Sequence, residues 1–327
     1  MVERVLERLE ELYAIGGGPG ANRPGYSAAE DEAHRLAAGW MREAGLEVGA
    51  DGAGNLIGRR GDARVWTGSH LDSVPNGGKY DGALGVAAGI EAAARLGDVP
   101  LAVVAFRAEE TGPMGSKSLA ERPPAFVEVH VEQGGELERL GEPLGVVTAI
   151  GGQVRGHVVF EGRADHAGTT PMDLRDDALV KAAGFVLRVR ECAREPARAT
   201  VGFLEVEPNA ANAVPARVTA SVDVRAPSAE LLDELVAAIG FEPSSRFDPV
   251  AMGGRPFEVL SELLPDAPGL VSGAGHDALV LAAAGVPTAM LFVRSLNGGV
   301  SHSPEELTSD DDIALAVDAL TEALARI

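Results

Sequence analysis

The chain carries seven histidines, and four of its apolar runs end on residues able to bind a metal. His70 closes the strand-like VWTGSH, His130 ends FVEVH, Glu109 and Glu110 follow LAVVAFRA, and His302 lies in a short loop after TAMLFV. In an open α/β sheet, ligands bind beyond the carboxyl ends of the strands. Four strand ends therefore deliver His, Glu, His and His to one edge of one sheet. In HLDSVPNGGKYDG, His70 and Asp81 bracket a turn in which Gly77, Gly78 and Gly82 let the backbone fold back, so that both side chains reach one ion. Imidazole and carboxylate suit zinc, manganese, cobalt or nickel. Three histidines and two carboxylates fit two divalent ions sharing a bridging carboxylate. Such a pair, ~3.5–4 Å apart, activates water and polarises a carbonyl together. Position alone leaves Glu109 and Glu110 interchangeable.

Simpler readings apply to other residues. A lone histidine after a strand is usually a capped or solvated side chain, and adjacent acids are usually surface charge. His34 falls inside an amphipathic helix and His157 inside a strand of the middle region, so both read as structural. Cys192 is the only cysteine, in a helix-like stretch with no histidine nearby, and reads as a structural thiol. It excludes an internal disulfide framework and a thiolate zinc site.

The elements that must position these residues follow from pattern. Val2, Val5, Leu6, Leu9 and Leu12 share one helical face. A second helix starts at Ser27, with Ser27 and Glu30 as a capping box and Gly45 as the stop. Buried strands are expected at Val65–Gly68, Leu101–Phe106, Phe126–Val131 and Thr288–Val293, with a helix over Gly82–Leu96. Strands alternating with helices predict an α/β fold with a mixed, largely parallel sheet. The middle reads as strand Val154–Glu161, helix Leu174–Arg190, strands Thr200–Val206 and Arg217–Arg225, helix Ser228–Ile239 and strand Arg246–Ala251. This βαββαβ order predicts an inserted ferredoxin-like α+β domain. The expected division is a catalytic domain of residues 1–153 and 253–327, with an inserted domain of residues 154–252.

Bulk properties narrow the function. The 327 residues are 46% apolar, enough for a real core, and no apolar run approaches the ~20 residues of a membrane helix. The acidic, amphipathic N-terminal stretch lacks the features of a signal peptide, so a cytoplasmic location is expected. A net charge of −21 argues against nucleic acid and against an anionic membrane surface.

GSHLDSVPNGGKYDG, EET, HVEQG, GRADHAGTTPM, PNAANAVPARVTASVDVR, SGAGHDALV and SHSPEE together resemble the M20-type amidohydrolases, within them the hydantoinase/carbamoylase branch. The motifs run from about residue 67 to 305 in family order. The resemblance implies hydrolysis of a C–N bond in an N-carbamoyl amino acid or a ureido acid such as allantoate, with two divalent metal ions per subunit (zinc, or manganese, cobalt or nickel). It implies that His70 and His130 hold one metal, Glu110 and His302 the other, and that Asp81 bridges them. Glu109 would be the general base, taking a proton from the attacking water and delivering it to the leaving nitrogen. His166 would help stabilise the oxyanion, often from a partner subunit, and Asn212 and Arg225 would hold the carboxylate of a small-molecule substrate. Gln153 and His276 match further positions near the site. Arg225 suits a carboxylate because its planar fork binds bidentately, and Asp223, two residues away on the same strand face, is placed to orient it.

The branch implies amidohydrolase rather than peptidase work, because M20 peptidases commonly carry an acid where His130 stands. It also implies a homodimer formed through the inserted domain. The chain departs from its relatives in length, being shorter between Glu110 and His130, in the second half of the inserted domain and before SGAGHD. These cuts touch the pocket wall and leave every metal position in place. An M20 dipeptidase or aminoacylase is the alternative enzyme, and a catalytically dead small-molecule binding protein the alternative outside enzymes.

Overall fold

The computed structural model describes residues 2–327. Two compact units emerge, one of residues 1–149 and 251–327, the other of residues 150–250. The divisions fall a few residues from the expected ones. On the N-terminal side Gln153 lies within one continuous strand, Gly152–Glu161, and on the C-terminal side Met252 N donates to Thr148 O.

The first unit opens with α1 (Val2–Ala14) and α2 (Ala28–Glu43). Strands β1 (Glu47–Ala50), β2 (Leu56–Arg60) and β3 (Trp66–His70) follow, then α3 (Ala83–Leu96), β4 (Leu101–Phe106), β5 (Phe126–Val131) and β6 (Leu144–Ile150). The second unit contributes β7 (Gly152–Glu161), α4 (Ala178–Cys192), β8 (Arg198–Thr200), β9 (Leu204–Glu207), β10 (Arg217–Ala226), α5 (Ala229–Ile239) and β11 (Pro243–Phe247). The chain then returns through α6 (Arg255–Leu263), β12 (Gly269–Ser272), α7 (Asp277–Ala283), β13 (Thr288–Val293) and α8 (Asp310–Arg326).

The large sheet runs β1-β2-β4-β3-β5-β13-β6, with β12 also on β6. Its centre, β4-β3-β5-β13, is parallel, and antiparallel partners flank it on both sides. All four central strands are buried along their whole length, which is why they read as unbroken apolar runs. Helix α3 is buried from Ala83 to Ala93 and packs against β3, α1 and α8. Its Leu84 and Ile90 are fully buried, each contributing roughly 1.5–3 kcal/mol. The α1 face of Val5, Leu9 and Leu12 joins the same core. Among the described residues no helix is long and apolar enough to cross a membrane.

In the second unit an antiparallel sheet runs β9-β10-β7-β11, with β8 also on β10. Strand β10 alternates in burial residue by residue, and Ala220, Val222 and Val224 pack with Phe185 and Val189 of α4 and Leu232, Leu235 and Ile239 of α5. Three expected elements differ in extent. The Thr200–Val206 strand is broken into β8 and β9, both paired to β10. Helix α4 begins only at Ala178, because a 3-10 turn occupies Met172–Leu174 and the Asp177 side chain caps Leu179 N and Val180 N. The expected strand Arg246–Ala251 is split, Pro243–Phe247 pairing with β7 and Val250–Ala251 forming a two-residue strand at the β6 end of the large sheet.

Candidate metal centre

His70 ends β3 and His130 sits one residue from the end of β5, on neighbouring parallel strands of the first unit. Both side chains are buried, with 2% and 1% exposed. His70 Nδ1 lies 3.2 Å from the Asp72 carbonyl and 3.3 Å from its Oδ1, so that nitrogen donates and Nε2 is left as a ligand. His130 Nδ1 is engaged in the same way by the Val131 carbonyl at 2.9 Å. The two Nε2 atoms converge on Asp81 Oδ1, at 3.5 Å and 3.2 Å. The other oxygen of Asp81, Oδ2, lies 3.4 Å from His302 Nε2, which is itself 3.5 Å from Glu110 Oε2. Two donor triads result, His70–Asp81–His130 and Asp81–Glu110–His302, with the donor atoms of each within 4.8 Å of one another.

Backbone conformation makes this approach possible. Gly82 precedes α3 with φ of +64°, and a Cβ there would stand 2.4–2.5 Å from the His70 ring. Only glycine takes both that conformation and that proximity. After β4 the chain turns at Ala108, with φ of +51°. Ala108 N is held by Glu30 Oε1 at 2.9 Å, and the N–H groups of Glu109 and Glu110 go to the two oxygens of Asp72, at 3.0 and 3.1 Å. Ser27 caps α2 as expected, accepting from Glu30 N at 3.3 Å. The Glu30 carboxylate does more than close a capping box, because besides Tyr26 N it anchors the turn that presents Glu109 and Glu110.

Burial raises the Glu109 carboxyl well above the ordinary range, His70 opposes this and Asp277 reinforces it. Glu109 Oε2 lies 3.8 Å from His70 Nε2. Burial also works to raise Asp81, but His130, His302 and His70 hold it well below the usual range. His302 is pushed up to about 8, chiefly by Asp81. Glu110 Oε1 is buried and has no hydrogen-bond partner among the described residues. A buried, unpartnered carboxylate oxygen beside two ligand triads is costly unless a cation completes it.

His276 is 2% exposed, with its Nε2 2.8 Å from Ser272 Oγ and its ring 4.6 Å from that of His130. Burial, then His130, depress its pKa well below 6.5. In the second unit, Gln153 and Arg225 sit directly across the β7–β10 ladder. Asp223 joins them, taking Gln153 Nε2 at 2.8 Å, Arg155 Nε at 2.8 Å and Arg225 Nε at 3.1 Å. His166 is exposed and accepts from Gly168 N through Nδ1 at 3.0 Å, which leaves the proton on Nε2. Asn212 lies beside it, with its carbonyl accepting from Ala167 N.

The sequence motif model of the peptidase family M20/M25/M40 matches residues 66–326. The chain belongs to this M20 family. It is 35% identical, over 97% of its length and 96% of the relative's, to an N-carbamoyl-L-amino acid amidohydrolase of Geobacillus stearothermophilus. It is likewise 35% identical to an allantoate amidohydrolase of Bacillus subtilis (strain 168), over 88% of each. A hydantoinase/carbamoylase-family amidase from Burkholderia multivorans superposes with a TM-score of 0.89 at 30% identity, covering 99% of this chain and 97% of that one. The M20 family is metal-dependent, and the donor set fits divalent metal on its own chemistry. It offers only imidazole and carboxylate, both His70 and His130 turn Nε2 toward Asp81, with Gly82 N also donating to His130 Nε2 at 3.3 Å, and Glu110 keeps a buried oxygen unpaired.

Several M20 site features were missed from sequence. Asp72 grips Glu109, Glu110 and His70 at once. The buried Glu128 accepts from Ser69 Oγ and Ala278 N behind His130. Gln133 Nε2 donates to Asp81 Oδ2 at 2.8 Å. A signal existed for Glu128, a lone charge in an apolar strand, and for Asp72, two residues after His70.

Proposed function

We propose that this M20 chain is an amidohydrolase that cleaves the C–N bond of an N-carbamoyl amino acid or a ureido acid such as allantoate, using two divalent ions per subunit. The observation that carries the metal assignment is the Asp81 carboxylate, with one oxygen turned to His70 and His130 and the other to His302 near Glu110. The sequence similarity to carbamoylases and an allantoate amidohydrolase supports the substrate class and favours it over a dipeptidase. His70 and His130 are the residues for one ion, Glu110 and His302 for the other, and Asp81 for both. Bound divalent cations supply acidification of water and polarisation of the substrate carbonyl.

The rest of the chemistry belongs to the chain. Glu109, its carboxyl kept basic by burial, takes the proton of the attacking water and passes it to the leaving nitrogen. Arg225, oriented by Asp223 with Gln153 alongside, takes the substrate carboxylate, and Asn212 assists. His166 Nε2–H donates to the oxyanion. His276, its ring 4.6 Å from that of His130, is a further position on the substrate side of the site. The inserted unit acts as a lid and dimer-forming domain. An exposed apolar row on α4, Leu179, Val180 and Leu187, supports this assignment and a homodimer.

The decisive experiment is a metal-supplemented screen over N-carbamoyl amino acids, allantoate, β-ureidopropionate and dipeptides, reading ammonia and free amino acid. Ureide turnover lost on chelation and restored by metal is the expected result. Turnover of dipeptides alone, or inertness of metal-loaded protein to every ureide, defeats the proposal.

A further inference from the structure

Glu306 ends the SHSPEE motif and is 5% exposed, yet the chemistry above gives it no role. Its Oε2 accepts two successive backbone N–H groups, Tyr80 at 2.7 Å and Asp81 at 3.2 Å. Its Oε1 accepts the Ser301 hydroxyl at 3.1 Å. Ser301 Oγ in turn lies 3.2 Å from Gln133 Nε2, which donates to the Asp81 carboxylate. The hydrogen bonds thus form a closed circuit. It runs from Glu306 to the Asp81 backbone, through the Asp81 carboxylate to Gln133 and Ser301, and back to Glu306.

The circuit joins two segments far apart in sequence. One carries Asp81, and the other carries His302, which lies between Ser301 and Glu306. His302 needs such a tether, since it sits outside any strand, has φ of +54° and is half exposed. Space for the tether is built in. A Cβ on Gly78 would stand 2.2 Å from Glu306 Cδ and Oε2. Placing a second buried acid beside Asp81 is electrostatically unfavourable. Packing alone does not account for an acid there. Three hydrogen bonds accepted through both oxygens, two on Oε2 and one on Oε1, do account for it, because an amide would offer a donor in place of one of them.

We propose that Glu306 is a positioning residue that fixes the Asp81 carboxylate and the His302 imidazole relative to each other, and so sets the affinity of the ion held by Asp81, Glu110 and His302. The inference rests on the metal-centre reading above. Groups that orient metal ligands typically change metal affinity or activity 10–100-fold when removed.

The test is titration of chelator-stripped protein with cobalt(II), followed by visible absorption and chelator competition, with apo-protein melting measured in parallel. Wild type is expected to take two equivalents. Glu306→Gln should keep one equivalent within about threefold of wild type and bind the other roughly 10–100-fold more weakly. Gly78→Ala leaves the carboxylate intact but displaces it, and should weaken the same equivalent. Combined with Glu306→Ala it should add less than the sum of the two single changes. A purely structural Glu306 would lower the apo melting temperature and leave both cobalt affinities unchanged, which overturns the proposal. Should Glu306→Gln not fold, Gly78→Ala and Ser301→Ala decide it, and wild-type affinity in both rejects it. Wild type that binds no cobalt refutes the metal-centre reading itself, a separate outcome.

Discussion

Glu109 and Glu110 leave the end of β4 side by side, and one carboxylate, Asp72, grips the N–H groups of both. Their side chains then diverge, Glu109 toward His70 and Glu110 toward His302. Glu109→Gln is expected to lower kcat by about 10²–10⁴ with metal content unchanged, measured by steady-state kinetics beside elemental analysis. Near-normal kcat would remove Glu109 as the base. Asp72→Asn exchanges an acceptor for a donor beneath the Glu109–Glu110 backbone and His70. Its expected effect is a metal affinity about 10–100-fold weaker, read by chelator competition. The five candidate ligands were legible because each closes or follows an apolar strand or a Gly-rich turn. The partners of the acids that hold them were not. What Glu30, Glu128 and Glu306 accept depends on backbone brought near by the fold, from Ala108, Ala278 and Tyr80 respectively.

At the scale of elements, α3 lies over the parallel strands and carries one fully buried charge, Glu91. Arg4 Nη2 of α1 reaches it at 2.9 Å, Arg95 Nε at 3.1 Å and Arg8 Nη1 at 3.7 Å. Burial opposes ionisation, but hydrogen bonds led by that of Arg4 bring the carboxyl from 4.5 down to about 2. A depressed folded-state pKa contributes stability that is full above the unfolded value and lost as pH falls through the folded one. Glu91→Gln should therefore cost about 2–3 kcal/mol at pH 7 in urea unfolding. The gap to wild type should shrink as pH drops below about 4.5. A gap constant from pH 7 to pH 3 contradicts this assignment. Helix α3 also depends on its first turn. Gly82→Ala forces a left-handed residue with a side chain into the His70 ring, and a loss of metal affinity of at least about tenfold is expected. Central strands and most helices were legible from apolar runs and caps. The break between β8 and β9 was not, because both pieces pair to β10 and the one local signal, Gly202 inside the apolar run, does not distinguish a break from a bulge.

For the whole molecule, the proposed dimer turns on α4, where Val180 is 68% and Leu187 59% exposed. Val180→Glu with Leu187→Glu should shift the mass measured by light scattering from dimer to monomer without loss of helical signal. A persistent dimer moves the contact elsewhere. If His166 acts across that dimer, mixing His166→Ala with Glu109→Gln protein under subunit exchange should recover part of the activity, and neither variant should do so alone. The discontinuity of the first unit, residues 1–149 and 251–327, has a further bearing on how the protein is made. On the ribosome, His70, Asp81, Glu110 and His130 emerge first, and His302 appears only after the whole of residues 150–250 has been synthesised. A nascent chain thus owns the first donor triad long before the second. On the two-ion proposal, the site of Asp81, Glu110 and His302 is therefore completed later in synthesis than that of His70, Asp81 and His130.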